Sequence, residues 1–236
     1  MRTQKFLSVP VLLFAAASLF SSCKKDDAPS QSCRIITISA SGSDPINFTY
    51  NADGKVSSYI SGKTSITYAY SGNNVVSNET YNGAFSQKKI ITNGANGLTT
   101  NVKTETSANG STWFNDSYEY NGTQLIKATT TFSDGSQPTV NIIKWENGNM
   151  STLTNGNNIT NIEYYTDKPA QQGDYLDLIQ KIQNVNIYRT KNAIKSLFSG
   201  GDINTYEYTF GSEGITGLKM SQGNSTTNYT YQHQCN

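Results

Sequence analysis

The 236-residue chain has one histidine, five prolines, three cysteines and only 15% charged residues. Each scarcity excludes something. A Ser-His-Asp site needs a histidine base, and His233 stands near the chain end, where a surface position on a last strand accounts for it. One histidine and no CxxC leave no spacing for a metal site. Nucleotide loops of the GxxxxGKS or GxGxxG type are missing where a strand leads into a helix, and turn chemistry explains Asn93-Gly94-Ala95-Asn96-Gly97. No cofactor is expected. Neither charge sign dominates, with 18 basic and 17 acidic residues, so no basic face for nucleic acid is indicated. After the first 22 residues there are no long Leu/Ala/Glu/Lys periodic stretches, which argues against a helical protein.

What is abundant points the other way. There are 15 Tyr and 19 Gly, set among Ser, Thr and Asn. Tyr, Thr and Ile suit pleated, half-buried surfaces, and Asn and Gly suit tight turns. A unit recurs in which alternating aromatic or aliphatic residues lead into an Asn/Gly turn and a second alternating run leaves it. Phe48-Thr-Tyr50 precedes Gly54, Tyr68-Ala-Tyr70 precedes Gly72, and Tyr118-Glu-Tyr120 precedes Gly122. Ile143-Lys-Trp145 precedes Gly148, Tyr206-Glu-Tyr208-Thr-Phe210 leads to Gly211, and Tyr229-Thr-Tyr231 stands before Cys235. Period-two alternation around such turns predicts hairpins, one per roughly 20–25 residues. The fold expected is all-β: a many-stranded antiparallel meander of hairpins forming a curved sheet or barrel-like domain over 33–235. The pattern breaks between Ala170 and Ser196. There Asp174, with Asp177 three positions on, predicts a capped short helix around 174–183, with Leu178, Ile179 and Ile182 on one face.

The chain start has three zones: Arg2 and Lys5, an apolar run from Phe6 to Leu19, and small residues before Cys23. That arrangement reads as a secretory signal over 1–22. Phe20-Ser21-Ser22-Cys23 resembles the lipobox of bacterial lipoproteins, with Phe in place of the usual Leu. The resemblance implies cleavage before Cys23, acylation of its thiol, and a membrane partner reached through that lipid. Lys24-Lys25-Asp26-Asp27 opens a tether over 23–32 and resembles the lysine-plus-acidic signal that sends lipoproteins of Bacteroidetes-type bacteria to the outer face of the outer membrane. An outer-membrane lipoprotein facing the cell exterior is the expectation. Removing residues 1–22 takes away two basic residues and no acid, leaving 16 basic and 17 acidic.

Export also bears on the other cysteines. Cys33 and Cys235 bound the folded region and would sit in an oxidising compartment, which predicts a disulfide joining the first strand to the last.

A broader resemblance rests on the late region: Leu176 to Ile182, then Lys191-Asn192-Ala193-Ile194-Lys195-Ser196, then Tyr206 to Gly211, then Tyr229-Thr-Tyr231. It is similar to an uncharacterised family of Bacteroidetes lipoproteins, a domain of unknown function with a porin-like fold. The aromatic-x-aromatic unit resembles, more loosely, the tyrosine-aspartate repeats of large bacterial surface proteins. The resemblance implies a curved or barrel-like sheet and no catalytic residues. Strands estimated at about 6–8 residues fall short of the 9–11 that cross a bilayer, so the domain is expected to stand in water.

The remaining functional signal is aromatic. Trp113, Phe114, Tyr118, Tyr120, Trp145, Tyr164 and Tyr165 stack on sugar rings if exposed and fill the core if buried. Trp113, Tyr118, Tyr120, Trp145 and Tyr165 are taken as candidate ligand contacts. The function expected is a non-enzymatic binding module for a glycan or other envelope ligand. The alternatives are a subunit of an outer-membrane complex, with an envelope protein as partner, and a carboxylate-based hydrolase using acids such as Glu119, Glu163 or Glu207.

Overall fold

The computed structural model describes residues 33–235. The expected leader over 1–22, Cys23, Lys24-Lys25-Asp26-Asp27 and the expected tether to residue 32 lie outside the described residues.

Sixteen strands run in chain order. The first eight are β1 (Cys33–Ala40), β2 (Ile46–Tyr50), β3 (Val56–Ser61), β4 (Thr64–Ser71), β5 (Asn74–Tyr81), β6 (Ala84–Asn93), β7 (Thr99–Glu105) and β8 (Trp113–Asn121). The rest are β9 (Gln124–Phe132), β10 (Thr139–Glu146), β11 (Asn149–Asn155), β12 (Asn158–Pro169), β13 (Asn192–Ser199), β14 (Asp202–Gly211), β15 (Gly214–Gln222) and β16 (Ser225–Cys235). Each pairs antiparallel with the next, and β16 returns to β1 through seven residue pairs, so the meander is a closed barrel. Closure leaves no unpaired sheet edge. The expected Cys33–Cys235 disulfide joins the two strands at that seam.

The Asn/Gly turns fall where the alternation predicts. Gly72 and Gly122 take φ of +57° and +62°, a left-handed backbone that glycine adopts without a Cβ clash.

Strand length departs from expectation. Seven strands reach nine residues or more, and β12 has twelve. Bulges such as those at Glu163/Tyr164 and Thr209/Phe210 shift the register, so a long strand reads in sequence as two short alternating pieces. Length therefore does not argue against bilayer crossing.

The single helix among the described residues, α1 (Tyr175–Gln183), lies between β12 and β13. Asp174 Oδ1 accepts from the Asp177 amide at 3.0 Å, and Asp177 Oδ2 accepts from the Gly173 amide at 2.8 Å. This reciprocal cap is the one the sequence predicts.

Candidate functional site: the plugged interior

Residues directly opposite on neighbouring strands share a face, and the buried positions identify the inner one. Ile38 faces Tyr231, Phe48 faces Tyr59, Tyr68 faces Ser77, and Tyr206 faces Met220. The recurring aromatic unit points inward, and its second aromatic has a defined task. Tyr70 donates to the Val56 carbonyl at 2.7 Å, Tyr120 to Thr99 at 2.6 Å, and Tyr208 to Ile194 at 2.8 Å. Tyr50 donates likewise to Ile35. Trp145 uses its indole Nε1 on the Leu125 carbonyl at 2.7 Å. In every case the bond runs from the end of an even strand to the preceding strand, fastening that pair at one end of the barrel.

That end is plugged. A wall of sixteen strands encloses more room than its own side chains fill, and residues 170–191 occupy it, touching the wall on many sides. Tyr68 of β4 donates to the Ile182 carbonyl at 3.1 Å, and Asn184 donates to the Tyr70 hydroxyl at 2.9 Å. Asn186 exchanges bonds of 2.8 and 2.9 Å with Thr99 at the start of β7. Tyr175 packs on Tyr206 of β14 with ring centroids 4.3 Å apart. Leu176, Leu178 and Ile187 share one core cluster with wall residues such as Ile35, Tyr59 and Leu218. The short helix expected around 174–183 thus lies inside the barrel. Both ends of the described chain, Cys33 and Cys235, lie at this plugged end, since β1 leaves it and β16 returns to it.

Above the plug the inner wall turns polar. A cavity of about 210 Å³ is lined by Tyr59, Tyr68, Ser77, Glu79, Gln87 and Lys89 together with Ile182 and Gln183. Glu79 accepts from Ser86 at 2.9 Å and from Gln87. Lys89 donates to Gln183 at 3.4 Å, and burial holds its pKa below the ordinary lysine value against the opposing pull of Glu79 and Asp116. Burial also pushes the Tyr59 phenol up to about 12. These phenols are neutral at any physiological pH and act as hydrogen-bonding groups, not as acids.

The outer face is of another kind. Glu119 pairs with Lys127 at 2.8 Å, Glu207 with Lys219 at 3.0 Å and Glu163 with Lys195 at 3.7 Å, each across adjacent strands. Thr49, Ser57 and Ser58 share hydroxyl bonds on the same surface. The three acids considered for hydrolysis therefore stand outward beside lysines, and the structure does not bring them together in a cleft. Among the described residues no group of His, Cys, Asp and Glu is placed to hold a metal.

The five aromatic candidates are not brought together. Tyr118, Tyr120 and Trp145 pack against the core inside the barrel. Trp113 faces outward, with Lys103 over its ring at 5.5 Å. Tyr165 sits at the β12 bulge, its hydroxyl on the Tyr206 carbonyl at 2.9 Å and Lys168 3.5 Å from its ring centre. The polar cavity with Glu79 and Lys89 was not visible in the sequence, because its residues alternate with outward Ser, Thr and Asn of similar polarity.

This architecture, a closed antiparallel barrel of many strands with a blocked lumen, is a porin-like fold. Solved structures that share it include two porin-like proteins. A porin-like protein from Bacteroides uniformis superposes with a TM-score of 0.60 at 14% identity, covering 85% of this chain and 96% of that one. A porin-like protein from Bacteroides vulgatus gives 0.57 at 9% identity, covering 84% and 97%. At such identities the likeness shows the fold, and it is the fold the late-region resemblance implies. No protein-family profile matches the chain, and a search of curated proteins finds no match.

Proposed function

We propose that the chain is a lipid-anchored lipoprotein of the bacterial outer membrane, displayed on the cell exterior as a non-enzymatic binding module for a glycan or other envelope ligand. The observation that carries this reading is the pairing of a plugged lumen with an outer wall bearing ion pairs and hydroxyls. A hydrocarbon-facing wall needs an apolar band with aromatic girdles. Here Glu119-Lys127 and Glu207-Lys219 stand on that wall, which supports a barrel that stands in water with one end blocked. The polar half of the lumen, with Glu79, Gln87 and Lys89, is the part of the interior suited to a polar ligand.

Protease treatment of intact cells tests the display. Wild type is expected to be degraded, and a variant with Lys24, Lys25, Asp26 and Asp27 changed to alanine is expected to be protected. Protection of both retires surface display and turns the search to periplasmic ligands.

A second reading has its own observation. Ile142, Ile159, Phe198 and Ile203 are exposed on the outer face of neighbouring strands. Such a patch suits a protein partner, so a subunit of an envelope complex is the alternative, tested by crosslinking from Phe198 in cells.

A further inference from the structure

Strand register puts charge on the inner wall above the plug. Ile66 faces Glu79, Glu79 faces Gln87, and Ser77 faces Lys89. Asp116 stands on the same face two strands further on, opposite the buried Val102. This stretch of wall therefore carries two carboxylates and one ammonium.

The charges are not spent on one another. On the outer face of the same hairpin, Lys88 and Lys103 both reach Glu105, at 3.4 and 3.0 Å. Lys89, next to Lys88 in sequence, makes no ion pair among the described residues. Its ammonium has the Gln183 side chain of the plug at 3.4 Å. Neutral groups hold the two acids. Ser86 and Gln87 each donate to one oxygen of Glu79, and Thr130 donates to Asp116 at 2.5 Å. These bonds orient the carboxylates without neutralising them. A desolvated charge lacking its counter-charge is costly, and burial already holds the Lys89 pKa low. Glu79, Gln87 and Lys89 are half-buried and keep contact with solvent. A solute in the cavity of about 210 Å³ that they line therefore reaches them.

The charge pattern selects the occupant. A lone anion on Lys89 meets the fields of Glu79 and Asp116, and a lone cation on Glu79 meets that of Lys89. Both repulsions are strong where water is scarce. A molecule with one carboxylate and one ammonium complements both sides with charge-assisted hydrogen bonds. The volume is below the roughly 300–1,000 Å³ of drug-sized sites, so the occupant is small. Tyr59, Tyr68 and Ile66 give the cavity an aromatic and apolar side for a short side chain.

We infer that the cavity above the plug binds a small zwitterion, an α-amino acid or a short peptide, with its carboxylate on Lys89 and its ammonium on Glu79. The site rests on the binding-module reading and names the ligand class of its polar interior.

The test is calorimetric titration of the detergent-purified full chain with L-alanine, L-valine and alanyl-alanine, set against acetate, ethylamine and glucose. Saturable binding of a zwitterion is expected, at least about tenfold tighter than that of acetate or ethylamine. It should weaken about tenfold in Lys89→Met and in Glu79→Gln, while Lys88→Met, on the outer face, binds as wild type does. The comparison of ligands on the wild type needs no substitution, so it decides the matter even if a variant unfolds. No zwitterion binding, equal binding of acetate or ethylamine, or binding unchanged in both variants overturns the site. Glucose binding without zwitterion binding also overturns it, and leaves the binding-module reading standing. Zwitterion binding by a chain that protease cannot reach in cells removes surface display and leaves this site standing.

Discussion

The indole Nε1 of Trp145 lies 2.7 Å from the Leu125 carbonyl and makes the bond that Tyr120 makes to Thr99 two strands earlier. The repeat is thus defined by a donor at the end of an aromatic-x-aromatic run, and the identity of the ring is secondary. Tyr120→Phe and Tyr208→Phe each leave a part-buried carbonyl without its donor, at an expected cost of about 1–2 kcal/mol. Tyr164→Phe removes a buried hydroxyl that makes no hydrogen bond and is expected to cost nothing. Urea midpoints of the three variants check the contrast.

The Cys33–Cys235 bond closes a loop of 202 residues in sequence separation. Chain entropy sets an upper figure of about 5 kcal/mol for a loop of that size. Changing both cysteines to serine is expected to leave a folded barrel, since seven residue pairs still hold β1 to β16. Its denaturation midpoint should fall by an amount within that figure. A chain that no longer folds would mean the ladder alone cannot close the wall.

Gly173 brings the plug against the wall. Its φ is +89°, and a Cβ there would meet Tyr231 and Ile215 at 3.1–3.3 Å. Gly173→Ala combines left-handed strain with overpacking and is expected to cost about 2–4 kcal/mol. Hydrogen exchange should show amides of α1 opening first, because the plug is displaced before the wall.

His233 is the only histidine, so its titration can be isolated. Burial holds its pKa below the ordinary imidazole value, Glu213 opposes this, and Lys181 adds to it. The unfolded chain takes up the proton first as pH falls. The contribution of His233 is therefore present above about pH 6.5 and is lost as pH drops through that value and the lower folded one. Wild type should lose stability between pH 7 and pH 5, and His233→Gln should lose less, as read from urea midpoints at the two pH values.

Much of the fold was legible because hairpins are local. Gly72 and Gly122 mark turns through chemistry contained in four residues, and the Asp174–Asp177 cap is equally local. Closure is not. Apart from the porin-like resemblance, only the cysteines at 33 and 235 hinted that the first strand meets the last. Bulges hid the length of β12, and nothing near Asp174 says that the helix enters the barrel. The site was less legible still. Tyr120 and Trp145 read as ligand contacts from composition, yet each donates inside the wall. Tyr164 differs from them in that its buried hydroxyl makes no hydrogen bond.

The most direct test of a tethered barrel standing in water is to export the chain on an ordinary cleavable signal with Cys23→Ser and fractionate the cells without detergent. The account predicts a folded, disulfide-bonded protein in the aqueous fraction. Retention in the membrane after a carbonate wash, or folding only in detergent, would contradict it and make the outer wall a lipid-facing surface.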